Sequence, residues 1–315
     1  MTNKNNLSTN FAESADSHSE NLQDRENVDN FAPGERLYIN PMTDFGFKKI
    51  FSHENVMKAF LNDLLLPSSP IEHVEFKNND MLPQNKEERG VVYDLRCTTE
   101  DGKDFIVEMQ NRSQTYFSDR IVYYLSRSIA PQGDKGNARG NKWDYKLKPV
   151  YGVFFLNFHL DNLQERMIRT IRYIVEETRE IFNDKVRAYT IELPGIKDAK
   201  EEDCKTNIER WIYNLFNMEN MTKPLSFQDV MPVFKEVASA AEIAKMDTDE
   251  YTRYMDSLDS YRTTLAAFDY EREKGKKEGI EETNLKNAKA MKDLGVPYEI
   301  ISKGFGLSIE EIEKL

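Results

Sequence analysis

The most regular stretch of the chain alternates apolar and polar residues from Val91 to Gln110, V-V-Y-D-L-R-C-T-T-E-D-G-K-D-F-I-V-E-M-Q. A period of two is the signature of a half-buried strand, so the segment reads as a β-hairpin. Tyr93, Leu95 and Cys97 fall on one face of the first strand and Val92, Asp94 and Arg96 on the other. In the second strand Phe105, Val107 and Met109 alternate against Ile106, Glu108 and Gln110. The turn decides the register. A two-residue turn centred on Asp101-Gly102 pairs Asp94 with Met109 and sends Asp94 and Glu108 to opposite faces. A three-residue loop, Glu100-Asp101-Gly102, places Gly102 at the left-handed position that ends a type I turn with a G1 bulge, a conformation glycine adopts at little steric cost. That register pairs Thr99 with Lys103 and Asp94 with Glu108, and it alone sets Tyr93, Leu95 and Cys97 on the same face as Phe105, Val107 and Met109.

Other periodicities flank the hairpin. The aromatic-rich segment Tyr38 to Phe51 fits the start of a core, and Ser52 is a candidate N-cap for a helix whose apolar residues are Met57, Phe60, Leu61, Leu64 and Leu65, with Pro67 as its stop. Ile71 to Phe76 reads as a short strand and Lys77 to Gly90 as a polar loop. After the hairpin, Tyr116 to Ala130 predicts an amphipathic helix: Phe117, Ile121, Leu125 and Ile129 line one face, and Tyr116, Arg120, Tyr123 and Arg127 share another. Val150 to Phe158 is nearly continuous in apolar residues, as in a strand buried on both faces. Gln164 to Phe182 fits strand or helix equally, and Ala188 to Leu193 fits a strand. Helical spacing then takes over: Trp211, Leu215 and Met218 on one helix, Met231 to Met246 on another, and Tyr251 to about Glu273 on a long one. Glu271 to Lys286 is a solvated linker or an extension of it. Short helices follow over 287–295, 297–303 and 308–315, the last opened by a Ser308–Glu311 capping box.

Composition narrows the picture. Residues 1–34 are rich in Asn, Ser, Asp and Glu and carry too few large apolar residues to offset their ordering entropy, so they are expected to be a disordered tail. The remainder divides into a core over 37–200, a helical extension over 203–275 and C-terminal helices over 286–315. A formal charge of -12 argues against coating nucleic acid through net charge but leaves a local basic patch open. Such a patch stands at Lys135, Arg139, Lys142, Lys146 and Lys148. Two cysteines, Cys97 and Cys204, are too few for a disulfide framework or a structural zinc site. No run is long and apolar enough for a membrane span, and the N-terminus lacks the apolar region of a signal peptide, so a soluble, cytoplasmic protein with no membrane association is expected. The outline of the C-terminal helices is that of a helix-turn-helix. Their acids, however, favour packing or self-association, making them the surface for any homo-oligomer.

Two carboxylates directly opposite each other on neighbouring strands would have Cβ atoms roughly 4.5 to 5.5 Å apart and repel. A divalent cation between them removes the conflict. A solvent-facing sheet whose acids pair with surface lysines is the competing reading.

Asp94, followed on the next strand by Glu108-Met109-Gln110, resembles the motif of the PD-(D/E)XK nuclease superfamily. Together with T-D-F-G-F-K-K-I-F at 43–51, E-M-Q-N-R at 108–112 and the Arg120-x-x-Tyr-Tyr helix, it resembles the Rpn group of recombination-promoting nucleases, over roughly residues 37–270. The resemblance implies an α/β fold: a restriction-endonuclease-like αβββαβ core with a mixed central sheet, plus a helical C-terminal region. It implies Asp94 and Glu108 as catalytic ligands of Mg2+ (or Mn2+), the backbone carbonyl of Met109 as a further ligand, and Glu54 as an additional acid; Asp44 is similarly open. A charge favourable to a helix N-terminus explains Glu54 equally. Gln110 occupies the position of the motif's lysine; its neutral amide can orient a water but brings no positive charge. No proline stands just before Asp94, where the motif has one; Tyr93 is there instead. The implied partner is DNA, with Arg120, Arg127 and the basic loop on its backbone. A catalytically weak relative that binds DNA or a protein is the alternative. A two-carboxylate sugar hydrolase ranks last, because no aromatic platform stands beside the acids.

Overall fold

The centre of the molecule is a six-stranded mixed sheet of order β1-β4-β5-β6-β8-β7, seen in a computed structural model that describes residues 36–81, 90–133, 145–160, 163–164 and 166–315. Its strands are β1 (Val74–Phe76), β4 (Leu95–Thr99), β5 (Asp104–Gln110), β6 (Val150–Leu156), β7 (Ile168–Ile174) and β8 (Ile181–Glu192); β2 (Asp80–Met81) and β3 (Val91–Val92) form a separate two-stranded ribbon. The β5, β6 and β8 strands run parallel, and the outer pairings are antiparallel. All seven residues of β6 are buried, as its unbroken apolar run predicts. The ambiguous stretch after it resolves into strand: β7 begins at Ile168, and β8 begins at Ile181, ahead of the expected Ala188.

Helices cover both faces. On one side lie α1 (Asp44–Phe51) and α2 (Glu54–Leu65), joined by α4 (Asn207–Asn217) and α5 (Val233–Ala241). Phe47, Phe51 and Phe60 from these helices meet Phe155 of β6, and Trp211 and Phe234 extend the aromatic core, whose neighbouring ring centroids lie 4.8 to 6.2 Å apart. On the other side, Phe117, Ile121 and Leu125 of α3 (Phe117–Ile129) pack on Ile106, Val150, Phe154 and Leu156. The α3 stripe is therefore the buried face its spacing predicts.

Two local expectations change. The aromatic segment before residue 52 is itself a helix: Thr43 caps α1 by accepting from the Gly46 amide at 3.0 Å. A side chain at position 46 would put a Cβ 2.2 Å from the Asn40 carbonyl oxygen, so only glycine allows this tight entry. Ser52 accordingly closes α1 instead of opening α2, whose N-cap is His53. Further on, Tyr93 leaves the face it was expected to share with Leu95 and Cys97. The first hairpin strand is broken by a bend at Asp94. Tyr93 is turned to the α3 side, where its hydroxyl meets Ser128 Oγ at 2.9 Å and donates to the Tyr124 carbonyl at 3.1 Å.

The chain divides into two compact units, one up to Met255 and one from Asp256. In the second, the end of the long helix α6 (Thr248–Asp293) joins α7 (Tyr298–Phe305) and α8 (Ile309–Lys314) around Ala288, Ile301 and Ile312. Glu271 to Lys286 is continuous helix within α6, and the Ser308–Glu311 capping box forms as the spacing predicts. Among the described residues, no helix is long and apolar enough to cross a membrane.

Candidate metal centre

The hairpin closes through the longer of its two possible loops. The Thr99 amide donates to the Lys103 carbonyl at 3.0 Å, the Gly102 amide to the Thr99 carbonyl at 2.9 Å, and Gly102 has φ 79°. With Leu95 paired to Val107, the next position brings Asp94 opposite Glu108. A reciprocal clasp joins them: the Asp94 amide donates to Glu108 Oε1 at 3.0 Å, and the Met109 amide donates to Asp94 Oδ2 at 2.7 Å. Glu108 is withdrawn from solvent, at 1% exposed, while Asp94 is half-buried.

Burial and crowding make this pair expensive to ionise. Glu108 is pushed up to about 8, first by burial and then by the charge of Asp94. Burial also raises Asp94 above the usual carboxylate range, opposed by the Met109 amide and by the charge of Lys48. A buried pair of hard oxygen donors that resists carrying two negative charges is a site short of positive charge. A divalent cation fits that deficit. Among the described residues no group of three or more His, Cys, Asp or Glu side chains is placed to hold a metal, so Asp94 and Glu108 are the candidate pair without a third such side chain.

Around the pair, Gln110 Nε2 donates to Glu108 Oε2 at 3.4 Å. The Arg120 guanidinium reaches within 4.0 Å of the same oxygen, donates to the Tyr124 hydroxyl at 2.7 Å and lies over the Tyr124 ring. Asn111, one residue beyond Gln110, donates to the Met42 carbonyl at 2.7 Å and ties the end of β5 to the entrance of α1. The α1 pair Asp44–Lys48, 2.7 Å apart, then supplies charge to the site: Lys48 acts on both carboxylates and Asp44 on Asp94. Lys48 was not singled out from sequence. Its i,i+4 relation to Asp44 is legible, but its approach to a hairpin some 50 residues away arises from tertiary packing.

The remaining candidates lie elsewhere. Glu54 accepts from the Val74 amide at 3.2 Å and meets His73 Nδ1 at 3.4 Å, which ties it to β1; these contacts hold its carboxyl below the usual range. Arg127 shares the Arg120 flank of α3 and lies in its last turn. Lys146 and Lys148 are placed just before β6, with the Lys148 amide donating to Gln132 Oε1 at 2.8 Å. Lys135, Arg139 and Lys142 lie outside the described residues.

A mixed sheet with helices on both faces, carrying paired carboxylates where an antiparallel hairpin meets parallel strands, defines a nuclease-type α/β core. The comparison with known families is specific: the model described as PD-(D/E)XK nuclease family transposase matches residues 41–271. The chain belongs to that family, and membership supports a nuclease or transposase-like role. No curated protein and no solved structure matches the chain.

Proposed function

We propose that the protein is a DNA endonuclease dependent on Mg2+ or Mn2+, hydrolysing phosphodiester bonds in recombination or mobile-element biology. The observation that carries this reading is the buried Asp94–Glu108 pair, clasped through each other's strands and short of positive charge. A cation held there would act as a Lewis acid on a phosphoryl oxygen and acidify a water. The chain's own groups do the positioning. The Met109 amide fixes Asp94, Glu108 is oriented by the Asp94 amide, and the Gln110 amide, which donates to Glu108, would orient a water there. Arg120 and Lys48 supply fixed positive charge, the role a neutral Gln110 leaves open.

Supercoiled plasmid incubated with the full chain tests this. Nicking in Mg2+ or Mn2+, abolished by EDTA and reduced about 100-fold or more by Asp94→Asn or Glu108→Gln, is expected. Cleavage that survives Asp94→Asn, or that ignores EDTA, refutes the reading. The hydrogen bond from Gln110 to Glu108 favours one second reading, a weakly catalytic DNA-binding relative. It predicts shape-dependent retention of DNA in a gel with no metal-dependent nicking.

A further inference from the structure

The flank of α3 beside the carboxylate pair carries aromatic rings as well as charge. Tyr116 is 73% exposed and Tyr123 is 43% exposed, whereas Phe117, Ile121 and Leu125 turn into the sheet. Seven residues separate the two tyrosines, which is two helical turns or about 10.5 Å along the axis. A stacked strand rises about 3.4 Å per nucleotide, so the rings stand roughly three bases apart. Between them is Arg120, whose guanidinium lies 4.0 Å from Glu108 Oε2; one turn beyond Tyr123 on the same flank is Arg127. The stripe is thus continuous with the candidate metal centre and alternates ring with guanidinium.

We propose that this stripe is a stacking platform for the bases of an unpaired DNA strand, and that the centre acts on single-stranded or branched DNA in preference to intact duplex. The substrate class rests on the endonuclease reading; the platform does not. Phosphate recognition alone asks for cations. Exposed rings set between them add flat apolar surface that suits the face of an unpaired base, and in a duplex the base faces are already covered by their neighbours. Base–aromatic stacking is sequence-tolerant and worth about 1–3 kcal/mol per base, or roughly 5- to 150-fold in affinity. Arg120 brings the backbone of a strand so seated to the carboxylates. The negative charge of the whole chain then matters little, because the attraction is local.

The test is fluorescence anisotropy with the full chain carrying Asp94→Asn, so that binding is read without cleavage, on a labelled 20-nucleotide oligo-dT and on a duplex of the same length. The expected result is tighter binding of oligo-dT, weakened about 5-fold or more by either Tyr116→Ala or Tyr123→Ala, restored by Tyr→Phe at the same position, and no such loss on the duplex. Thermal melts identical to the parent's verify that these exposed positions leave the fold intact. An unchanged oligo-dT affinity in the Tyr116→Ala, Tyr123→Ala double variant overturns the proposal. So does an equal loss on duplex and single strand, or a concentration-dependent dimer in sedimentation that the same substitutions dissolve, which assigns the stripe to a second copy of the chain. Plasmid nicking without tyrosine-dependent oligo-dT binding defeats the platform and leaves the endonuclease reading standing; the converse result defeats only the chemistry.

Discussion

Replacing Glu108 by glutamine should stabilise the metal-free protein at alkaline pH while disabling it. The folded state holds the Glu108 proton up to about pH 8, against 4.5 for an unperturbed glutamate. A group whose folded-state value is raised gives full stability at low pH and loses it as pH rises through that window, because the folded state binds the proton more tightly. Between pH 5.5 and pH 8.5 the loss comes to about 3 kcal/mol, at 1.36 kcal/mol per pH unit. The glutamine isostere carries no charge at either pH. Its oxygen can still accept from the Asp94 amide, now 3.0 Å from Glu108 Oε1, and Gln110 can turn its amide over to meet the new nitrogen. For a domain of about 200 residues, 3 kcal/mol corresponds to a Tm difference of roughly 6–12 °C. Calorimetry without divalent metal should therefore show Glu108→Gln melting well above the wild type at pH 8.5, with the gap mostly closed at pH 5.5. Added Mg2+ should raise the wild type and leave the variant unmoved. A variant less stable than wild type at both pH values, or a gap independent of pH, would refute the claim that the pair is short of positive charge.

Three further outcomes follow from contacts beside this centre and elsewhere in the sheet. Lys48→Gln removes a cation that acts on both carboxylates and should slow single-turnover cleavage about 100-fold, while calcium-supported DNA binding stays within a few-fold of wild type. Arg169→Met strands the fully buried Glu192, which pairs with Arg169 and with His159 Nδ1 at 2.9 Å; urea unfolding should show a loss of about 3–5 kcal/mol, recovered in part by adding Glu192→Gln. Gly46→Ala drives a Cβ against the Asn40 carbonyl, so thermal melts should show a cost of about 1–3 kcal/mol, and cleavage should fall as α1 carries Lys48 out of place.

What sequence could convey depended on how local each signal was. Gly102 suits either loop; the need for one apolar face across both strands selected the longer one, and the loop set the register, because a one-residue slip turns every side chain over. The continuous apolar run of β6 and the stripe of α3 were equally local. Three features were not. The helix over Asp44–Phe51 is short, aromatic and interrupted by Gly46, so propensity hid it, and its Thr43 cap is seen only in the folded structure. Lys48 joins the site through tertiary contacts that hold α1 against the sheet, the Asn111–Met42 tie and the packing of Phe47 and Phe51 on Phe155. The side taken by Tyr93 depends on the bend at Asp94, and the chemistry of the site depends on that bend as well. In an unbroken strand with Thr99 and Lys103 as a bonded pair, Asp94 falls at a non-bonded position, where opposed side chains come closest but the amide points away from the partner strand. Turning the chain there keeps the close approach of the two carboxylates and swings the Asp94 amide back onto Glu108. Alternation alone predicts two acids that repel; the bend converts them into a mutually oriented pair whose remaining charge a cation can answer.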